Sequence, residues 1–361
     1  MRIVIKVGST LLNGTSGVNR IFIDGLASQI LALPEHEFAI VTSGAIATGM
    51  KQLGMGERPK DLAMLQALAA IGQPGLMNAY ASAFEGRKSI AQVLLTNHEF
   101  SNHMLYLNVR NTFNTLMGKG VIPVINENDP VSVMAIKKSA FWDNDGLAAL
   151  VAVAIDADLL VIFADVDGLF DRDPAEPGAT LVREVKSVTK KELRMCGASG
   201  PLGRGGMATK LRAAKMATEA SIPVVIANGN GRDAIARALA GDAGTVFRAS
   251  EKPKLDARKH WLAFASEPKG RIAVRGSAMQ CAVNKSCGIT PADVVSVTGN
   301  FDKGDVIEIA GEDGTVLCKG VTNYFSHELE KIKGLGTDAI YKQLGFAYGD
   351  VVSGADMALV G

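Results

Sequence analysis

Cysteine is scarce in this sequence, and its spacing argues against two kinds of site. The 361 residues include four cysteines, Cys196, Cys281, Cys287 and Cys318. No two form a C-x-x-C pair, and none lies at zinc-finger spacing from a histidine. This pattern disfavours a disulfide scaffold and a structural zinc site. We interpret the cysteines as reduced thiols. Because no basic and apolar leader opens the sequence, we expect a cytoplasmic protein.

The sequence also lacks a net charge of either sign. Lysine and arginine total 38, against 37 aspartate and glutamate residues, so the overall charge does not favour a nucleic acid or a membrane surface. The longest apolar run, residues 147–164, contains Asp156 and Asp158, and each would cost about 2.5–3.5 kcal/mol at a bilayer centre. We therefore expect neither a membrane span nor a nucleic-acid partner, and an anionic ligand must be held by local positive charge.

Several catalytic motifs are missing. The sequence contains no G-x-x-x-x-G-K-[ST], no H-E-x-x-H and no G-x-S-x-G, which argues against a P-loop, a zinc protease and an α/β-hydrolase nucleophile. Two G-x-G-x-x-A matches occur, at residues 203–208 and 229–234. The first follows a polar segment, and the second is not followed by another strand ending in an acidic residue. Neither therefore predicts a dinucleotide site.

The first 250 residues alternate short apolar runs with helical patterns. The runs are branched and apolar on both faces, which predicts strands of a covered parallel sheet. They are residues 3–7, 38–42, 90–95, 121–125, 159–163 and 224–227. Such alternation is typical of an α/β layered fold, in which ligands bind at the carboxyl ends of the strands. We predict one α/β domain at residues 1–250.

The character of the sequence changes after residue 250. Residues 251–267 are largely polar at their start and are predicted to be a linker. Residues 268–361 contain short β-like pieces between glycine-rich turns, and Asp313-Gly314 between two apolar runs is a strong hairpin signal. We predict a small, mostly β domain at residues 268–361.

Polar segments at three predicted strand ends could bind ligands. Lys6 within an apolar strand needs water, a charge partner or an anionic ligand. Ser43 and Gly44 open a helix whose free amide groups could bind an anion, although a plain serine N-cap would give the same pattern. Residues 126–130 place four polar side chains directly after a strand, which indicates a substrate-recognition loop.

Two further segments open helices. Residues 143–145 read Asp-Asn-Asp, more acid and amide groups than a helix cap requires. Residues 203–210 combine three glycines with Arg204 and Lys210, which favours a phosphate at the helix start. Phosphoryl transfer fits this inventory because it needs positioning and charge neutralisation more than a nucleophilic side chain. A carboxylate acceptor is already ionised and needs no general base.

Taken together, these segments resemble the amino acid kinase family and, within it, the enzymes that phosphorylate glutamate and carry a C-terminal PUA-like domain. The resemblance rests on residues 6–10, 41–47, 123–129, 143–145 and 205–210. It implies an α/β fold, an α-β-α sandwich with a mainly parallel central sheet, followed by a small, mostly β PUA-like domain. It also implies transfer from ATP with Mg²⁺ to the side-chain carboxylate of L-glutamate, giving L-glutamyl 5-phosphate in the first step of proline synthesis.

The resemblance implies roles for individual residues. Lys6 and Lys210 would neutralise the phosphoryl group in transfer, with Asp145 holding both lysines. Glutamate would be bound by Ser43, Asp129 and Asn144. The ATP site would be formed by Lys6, Ala164, Asp165, Arg204, Gly205, Gly206, Met207, Ala208, Thr209 and Lys210. No protein metal ligand is expected, because Mg²⁺ would be carried on the ATP phosphates.

The resemblance also implies partners and leaves alternatives open. Proline would inhibit by competing near the glutamate loop, and the chain would form a homo-oligomer, a dimer or a tetramer. The acceptor could instead be aspartate, acetylglutamate, carbamate or a nucleoside monophosphate. A second alternative is an RNA-binding protein whose kinase fold is vestigial, and a third is an NAD-dependent dehydrogenase, which rests only on the glycine motif around Gly229. The sequence departs from the family pattern at Trp142, where glycine is usual, and at Ala164 and Arg204, where threonine is usual.

Overall fold

The computed structural model describes residues 1–14, 17–132, 143–195, 206–251, 259, 261–276, 278, 280 and 287–359. The chain divides into two compact units. The first comprises Met1–Glu99 and Met104–Lys254, and the second comprises Phe100–His103 and Leu255–Gly361. Each unit has its own sheet and its own hydrophobic core.

The first unit is built on a sheet of eight strands, with a separate two-stranded ribbon. In chain order the strands are β1 (Arg2–Val7), β2 (Asn13–Gly14), β3 (Gly17–Val18), β4 (Glu37–Val41), β5 (Ile90–Leu95), β6 (Ile122–Glu127), β7 (Leu159–Ala164), β8 (Glu184–Val185), β9 (Val224–Asn228) and β10 (Thr245–Phe247). The sheet order is β5-β6-β4-β1-β7-β9-β10-β8, and β2 pairs with β3. Every pairing in the large sheet is parallel except that of β9 with β10.

Helices, the fifth and sixth of which include residues of the segment Phe100–His103, connect these strands. They are α1 (Ser9–Leu12), α2 (Arg20–Leu31), α3 (Ala45–Gln52), α4 (Leu62–Phe84), α5 (Asn97–Ser101), α6 (His103–Gly118), α7 (Asn144–Ala154), α8 (Lys190–Met195), α9 (Met207–Glu219) and α10 (Ala234–Ala240). Side-chain caps fix several starts: Asn19 accepts from the amide of Phe22, and Asp61 from that of Met64. In the described part of the chain, no helix combines the length and the apolar character needed to span a membrane.

All six predicted strands of the first unit are confirmed, with one informative difference. Strand β6 continues through Asn126 and Glu127, which were predicted to open a polar loop. They pair with Leu94 and Leu95 of β5, and both polar side chains are buried. Hydrogen bonding to β5 extends strand β6 through these two residues. Asn126 and Glu127 therefore lie buried in the sheet and do not form a surface loop. The short strands β8 and β10 were not predicted, because two or three residues carry too little periodicity.

The second unit contains a five-stranded, mainly antiparallel sheet. Its strands are β11 (Gly270–Val274), β12 (Val294–Gly299), β13 (Val306–Gly311), β14 (Val316–Val321) and β15 (Met357–Leu359), in the order β12-β11-β13-β14-β15. Its helices are a π-helical turn (Trp261–Ala265), two 3₁₀ turns (Pro291–Asp293 and Gly354–Asp356), α11 (Ser326–Ile332) and α12 (Thr337–Leu344). The predicted hairpin at Asp313-Gly314 is confirmed, since β13 and β14 pair antiparallel on either side of it.

The cysteines give one correction. Cys318 has a free, buried thiol, as predicted, whereas Cys287 is disulfide-bonded, so the prediction of a reduced thiol is wrong there. A disulfide depends on which sulfur atoms the fold brings together, and cysteine spacing does not give that information. Cys196 and Cys281 lie outside the described residues.

Candidate active site

Four adjacent strands bring the predicted polar segments to one edge of the large sheet. The order β6-β4-β1-β7 is parallel throughout, so the carboxyl ends of these strands lie side by side. Lys6 is near the end of β1, Ser43 follows β4, and Ala164 ends β7. This edge is where α/β folds bind their ligands.

Two buried lysines share one buried carboxylate at this edge. Lys6 Nζ lies 2.5 Å from Asp145 Oδ1, and Lys210 Nζ lies 3.2 Å from Asp145 Oδ2. The hydroxyl of Thr209 also donates to Asp145 Oδ2, at 2.8 Å. Lys6 is 6% exposed, Lys210 7% and Asp145 1%. We call Lys6, Asp145 and Lys210 the ionic cluster.

Electrostatics keep Asp145 ionised. Burial raises the pKa of its carboxyl, but the charges of Lys6 and Lys210, with hydrogen bonds from Lys6 and Thr209, outweigh burial and lower the pKa from 3.8 to about 2. Two ammonium groups facing one carboxylate leave a net positive charge. The ionic cluster can therefore attract an anionic group that enters the site.

Two helix starts hold this cluster. Asp145 lies in the first turn of α7, whose N-cap Asp143 accepts from the amides of Asp145 and Gly146 at 3.0 and 2.9 Å. Lys210 lies in the first turn of α9, after Gly206, and the hydroxyl of Thr209 donates to the carbonyl of Gly206. Both charged side chains therefore project from helix starts that are fixed locally.

A chain of neutral hydrogen bonds runs beside the ionic cluster. Asn144 Nδ2 donates to Ser43 Oγ at 2.7 Å and to Asn126 Oδ1 at 3.3 Å. Asn126 Nδ2 donates in turn to Gln73 Oε1 at 2.9 Å. We call Ser43, Asn144, Asn126 and Gln73 the amide network. Gly44, which follows Ser43, has a φ of +98°, a conformation that glycine adopts readily and other residues rarely do. It allows the chain to pass from β4 to α3 immediately after Ser43.

Two cavities open on these groups. The larger has a volume of about 460 Å³ and is lined by Lys6, Gly8, Ser9, Thr10, Ser43, Asp143, Asn144, Asp145, Ala164, Asp165, Val166, Gly168, Leu169, Phe170, Arg172, Asp173, Pro174, Met195, Gly206, Met207 and Lys210. The smaller has a volume of about 220 Å³ and is lined by Ala45, Ala69, Ala70, Gln73, Pro74, Gln92, Leu94, Glu127, Asp129 and Pro130. The ionic cluster lines the larger cavity, and the amide network reaches from the larger to the smaller.

Comparison with known proteins identifies the family. The model of the amino acid kinase family matches residues 1–228, and that of the PUA domain matches residues 270–342. A glutamate 5-kinase from Geobacter sp. (strain M21) is 42% identical over 358 residues, covering 97% of this chain and 95% of that protein. The chain belongs to the amino acid kinase family, among the glutamate 5-kinases. A glutamate 5-kinase from Acinetobacter baumannii (strain ATCC 17978) is 41% identical over 352 residues, covering 96% of this chain and 92% of that protein.

The family assignment confirms the predicted fold and resemblance, and the structure places most of the predicted amino acid kinase site residues. Nine of them line the larger cavity: Lys6, Ser43, Asn144, Asp145, Ala164, Asp165, Gly206, Met207 and Lys210. Thr209 contacts Asp145, whereas Ala208 lines neither of these two cavities. Asp129 lines the smaller cavity, apart from Ser43 and Asn144. Arg204 and Gly205 lie outside the described residues, as does Trp142.

Asp129 has an unusual environment. Burial raises the pKa of its carboxyl from 3.8 to about 6, and the charge of Arg58 offsets only part of this effect. The carboxyl is thus ionised at neutral pH in a place where an added cationic group would be stabilising. Among the described residues, no three His, Cys, Asp or Glu side chains are grouped so as to hold a metal ion.

Sequence reasoning missed two members of the amide network as individual site residues. Asn126 was noted only as part of a loop, and Gln73 was not singled out. A usable signal was present for Gln73, since it falls between the buried residues Leu68, Ala69 and Leu76 on an otherwise apolar helix. A buried polar side chain on such a helix needs a hydrogen-bond partner, and for Gln73 that partner is Asn126 on strand β6.

Proposed function

We propose that the chain transfers the γ-phosphoryl group of ATP to the side-chain carboxylate of L-glutamate, giving ADP and L-glutamyl 5-phosphate. The observation that carries the proposal is the ionic cluster, in which Lys6 and Lys210 share Asp145 on the wall of the larger cavity. The names of the relatives support L-glutamate as the acceptor.

The chemical step needs little covalent help from the protein. A side-chain carboxylate oxygen of glutamate attacks the γ-phosphorus, and the bond from that phosphorus to the bridging oxygen of ADP breaks. The attacking oxygen carries no proton, so no general base is needed. Lys6 and Lys210 neutralise the negative charge on the group in transfer, and Asp145 holds their ammonium groups in place before the substrates arrive.

The residues present fit ATP as the donor. The larger cavity lies within the usual range of about 300–1,000 Å³ for small-molecule sites. Gly206 precedes the 13-residue helix α9 and adds no side chain to fill the cavity. The free amides of that helix start favour a phosphate. Ala164 and Asp165 lie at the end of β7, where the base or ribose would fit.

Magnesium would reach the site with the nucleotide. When bound to the ATP phosphates, Mg²⁺ supplies additional neutralisation of charge and fixes their geometry. Among the described lining residues of the larger cavity, Asp165 and Asp173 are the carboxylates outside the ionic cluster and the cap of α7, and they would face the water ligands of such an ion.

The acceptor would be bound across the two cavities. The hydroxyl of Ser43, oriented by the hydrogen bond that its Oγ accepts from Asn144 Nδ2, would donate to the side-chain carboxylate beside the ionic cluster. The ionised carboxyl of Asp129 would accept from the α-ammonium group. We also propose that the product enters proline synthesis as its first step and that proline competes near Asp129.

Several broader features belong to the same proposal. We propose that the chain forms a homo-oligomer and that Mg-ATP and L-glutamate are its substrates. We keep the predicted boundaries, a kinase domain at residues 1–250, a linker at 251–267 and a PUA-like domain at 268–361. The PUA-like domain would be a structural or regulatory module.

An acceptor panel tests the proposed function. Purified protein is given ATP, Mg²⁺ and one of L-glutamate, L-aspartate, N-acetyl-L-glutamate, carbamate or a nucleoside monophosphate, and ADP release is measured with hydroxylamine present to trap an acyl phosphate. We expect ADP and hydroxamate with L-glutamate alone. Turnover with another acceptor would show that the acceptor is not L-glutamate, while the proposed mechanism of phosphoryl transfer would stand. No turnover, together with micromolar RNA binding, would favour the vestigial kinase.

A further inference from the structure

Among the described residues, the side-chain amide nitrogen of Gln73 has no hydrogen-bond partner, and Gln73 lines the smaller cavity. Gln73 is 8% exposed and lines that cavity. Its Oε1 accepts from Asn126, whereas its Nε2 is buried and no described residue hydrogen-bonds to it. Native proteins rarely leave such a donor unsatisfied. Gln73 Nε2 can therefore donate a hydrogen bond to an acceptor atom of a bound ligand.

The backbone fixes which end of Gln73 faces the cavity. Asn126 Oδ1 accepts from the backbone amide of Glu127 at 2.9 Å, and a backbone N–H can only donate. The side-chain oxygen of Asn126 must therefore face that amide, so its Nδ2 faces Gln73. An NH₂ group also can only donate, so Gln73 presents Oε1 to Asn126 and Nε2 to the cavity.

The same reasoning fixes a second open atom. Asn144 uses Nδ2 to donate to Asn126 Oδ1 and Ser43 Oγ, which turns its Oδ1 away from both. Asn144 Oδ1 is buried and has no hydrogen-bond partner within the described part of the chain. The amide network therefore offers a ligand one fixed donor, at Gln73, and one fixed acceptor, at Asn144.

Close helix packing makes the position of Gln73 rigid. A Cβ atom added at Gly72 would lie 1.9 Å from the carbonyl oxygen of Ala45, so helix α4 can approach the start of α3 this closely only with glycine there. Gln73, the next residue, is thereby held beside the helix start that follows Ser43. The donor is preorganised and does not have to be ordered when a ligand binds.

The charges around the smaller cavity define the ligand that it takes. Among the described residues of its wall, Gln73 supplies a donor, and Asp129 and Glu127 are acidic. A ligand that satisfies both must carry an acceptor oxygen next to a cationic donor, and the carboxylate and ammonium groups at the α-carbon end of an amino acid meet this requirement. The volume of about 220 Å³ suits such a fragment.

We propose that Gln73 is a specificity-determining residue that donates to the α-carboxylate of the acceptor amino acid. This inference rests on the proposed function for the identity of the acceptor. It predicts that the protein distinguishes L-glutamate from 4-aminobutyrate, which has the same chain and ammonium group but no α-carboxylate.

The test compares the binding of these two compounds to the full-length protein. Gln73→Glu keeps an oxygen for Asn126 and replaces the cavity-facing donor by an acceptor. Calorimetry is expected to show that this variant binds L-glutamate about 10-fold or more weakly than the unmodified protein does, the scale of a hydrogen bond to a charged group. Binding of 4-aminobutyrate should be no weaker. In steady-state assays the KM for L-glutamate should rise while the KM for ATP stays within about twofold.

Controls separate a specific hydrogen bond from added charge and from misfolding. Gln52→Glu makes the same change at an exposed residue at the end of α3 that lines neither of the two cavities, and it should alter L-glutamate binding by no more than about twofold. Gln73→Met, an uncharged replacement of similar size, should reproduce the selective loss. Melting curves identify any variant that fails to fold.

The outcomes separate this inference from the proposed function. Equal loss for L-glutamate and 4-aminobutyrate, unchanged L-glutamate binding in both Gln73 variants, or no binding of either compound to the unmodified protein would overturn the role of Gln73. Selective binding without phosphoryl transfer would support that role and contradict the proposed function. Phosphoryl transfer to L-glutamate with unchanged selectivity in the variants would do the reverse.

Discussion

The two halves of the candidate site, the ionic cluster and the amide network, are built from different kinds of interaction. The ionic cluster uses full charges, with two ammonium groups on one carboxylate that is 1% exposed. The amide network uses neutral groups whose donor and acceptor ends are fixed by a backbone amide. The full charges of the ionic cluster suit a phosphoryl group, whose negative charge is redistributed during transfer. The fixed donor and acceptor atoms of the amide network suit a ligand that carries matching acceptor and donor atoms. Their difference indicates a division between transfer of the phosphoryl group and choice of the acceptor.

The largest effect is expected when the carboxylate of the ionic cluster is removed. Asp145→Asn leaves Lys6 and Lys210 buried beside each other without their shared anion. Breaking buried ion pairs in this way costs about 3–5 kcal/mol, and turnover should fall with it. Chemical denaturation measures the free energy of unfolding. A variant as stable as the unmodified protein would show that the cavity hydrates the lysines well enough to replace Asp145.

The pH dependence of stability provides the control for this prediction. The folded-state pKa of Asp145 is lowered from 3.8 to about 2. Its ionised form therefore contributes to stability above about pH 4, and the contribution is lost as the pH falls through about 2. Asp145→Asn should remove this part of the acid dependence.

The next effect concerns catalysis with little change in acceptor binding. Lys210→Ala should lower turnover about 100-fold or more, the scale observed when one charge partner of a transition state is removed. The KM for L-glutamate should change much less, since the amide network is intact. Lys215→Ala, on the same helix at an exposed site paired with Glu219, is the control. Turnover near that of the unmodified protein in Lys210→Ala would contradict the role assigned to this lysine.

A smaller effect is expected from pH at the acceptor end of the site. With a pKa of about 6, Asp129 loses its charge below that pH. The KM for L-glutamate should rise about tenfold per pH unit there, because only the ionised fraction binds. Asp129→Asn should bind L-glutamate weakly and without this dependence. A flat profile between pH 5 and pH 7.5 in the unmodified protein would separate Asp129 from the α-ammonium group.

The same shift has the opposite sign for stability. The folded state binds this proton more tightly than the unfolded chain between about pH 4 and pH 6, so the contribution of Asp129 to stability falls as the pH rises through that window. Asp129→Asn should abolish the fall. The contribution of Asp145 to stability has the opposite pH dependence, since it increases as the pH rises through about 2 to 4.

The smallest effect on catalysis should come from the second unit. Among the described residues, those that line the two cavities all belong to the first unit. Deletion of residues 268–361 should therefore leave measurable phosphoryl transfer, checked by ADP release from a truncated protein whose circular dichroism shows a folded chain. Complete loss in such a folded truncation would make the PUA-like domain part of the catalytic unit.

The sequence predicted the ionic half of the site better than the neutral half. Lys6 in an apolar strand and Asp145 at a helix start are visible because charges are conspicuous in apolar surroundings, and parallel strands must end at one edge. Gln73 is 53 residues from Asn126 in the chain, and no local pattern shows that a helix glutamine meets a strand asparagine. The extension of β6 through Glu127 was also hidden, because polar residues at a strand end resemble a loop until the neighbouring ladder is known.

The most direct test of the central claim follows an oxygen atom from the acceptor. L-Glutamate labelled with ¹⁸O in both side-chain carboxylate oxygens is incubated with ATP, Mg²⁺ and the protein, without hydroxylamine. The acyl phosphate then cyclises as its amine attacks the carbonyl carbon and expels phosphate. If the side-chain carboxylate attacks the γ-phosphorus, each released phosphate carries one labelled oxygen atom. Phosphate released without label would show that water receives the phosphoryl group and would contradict the account.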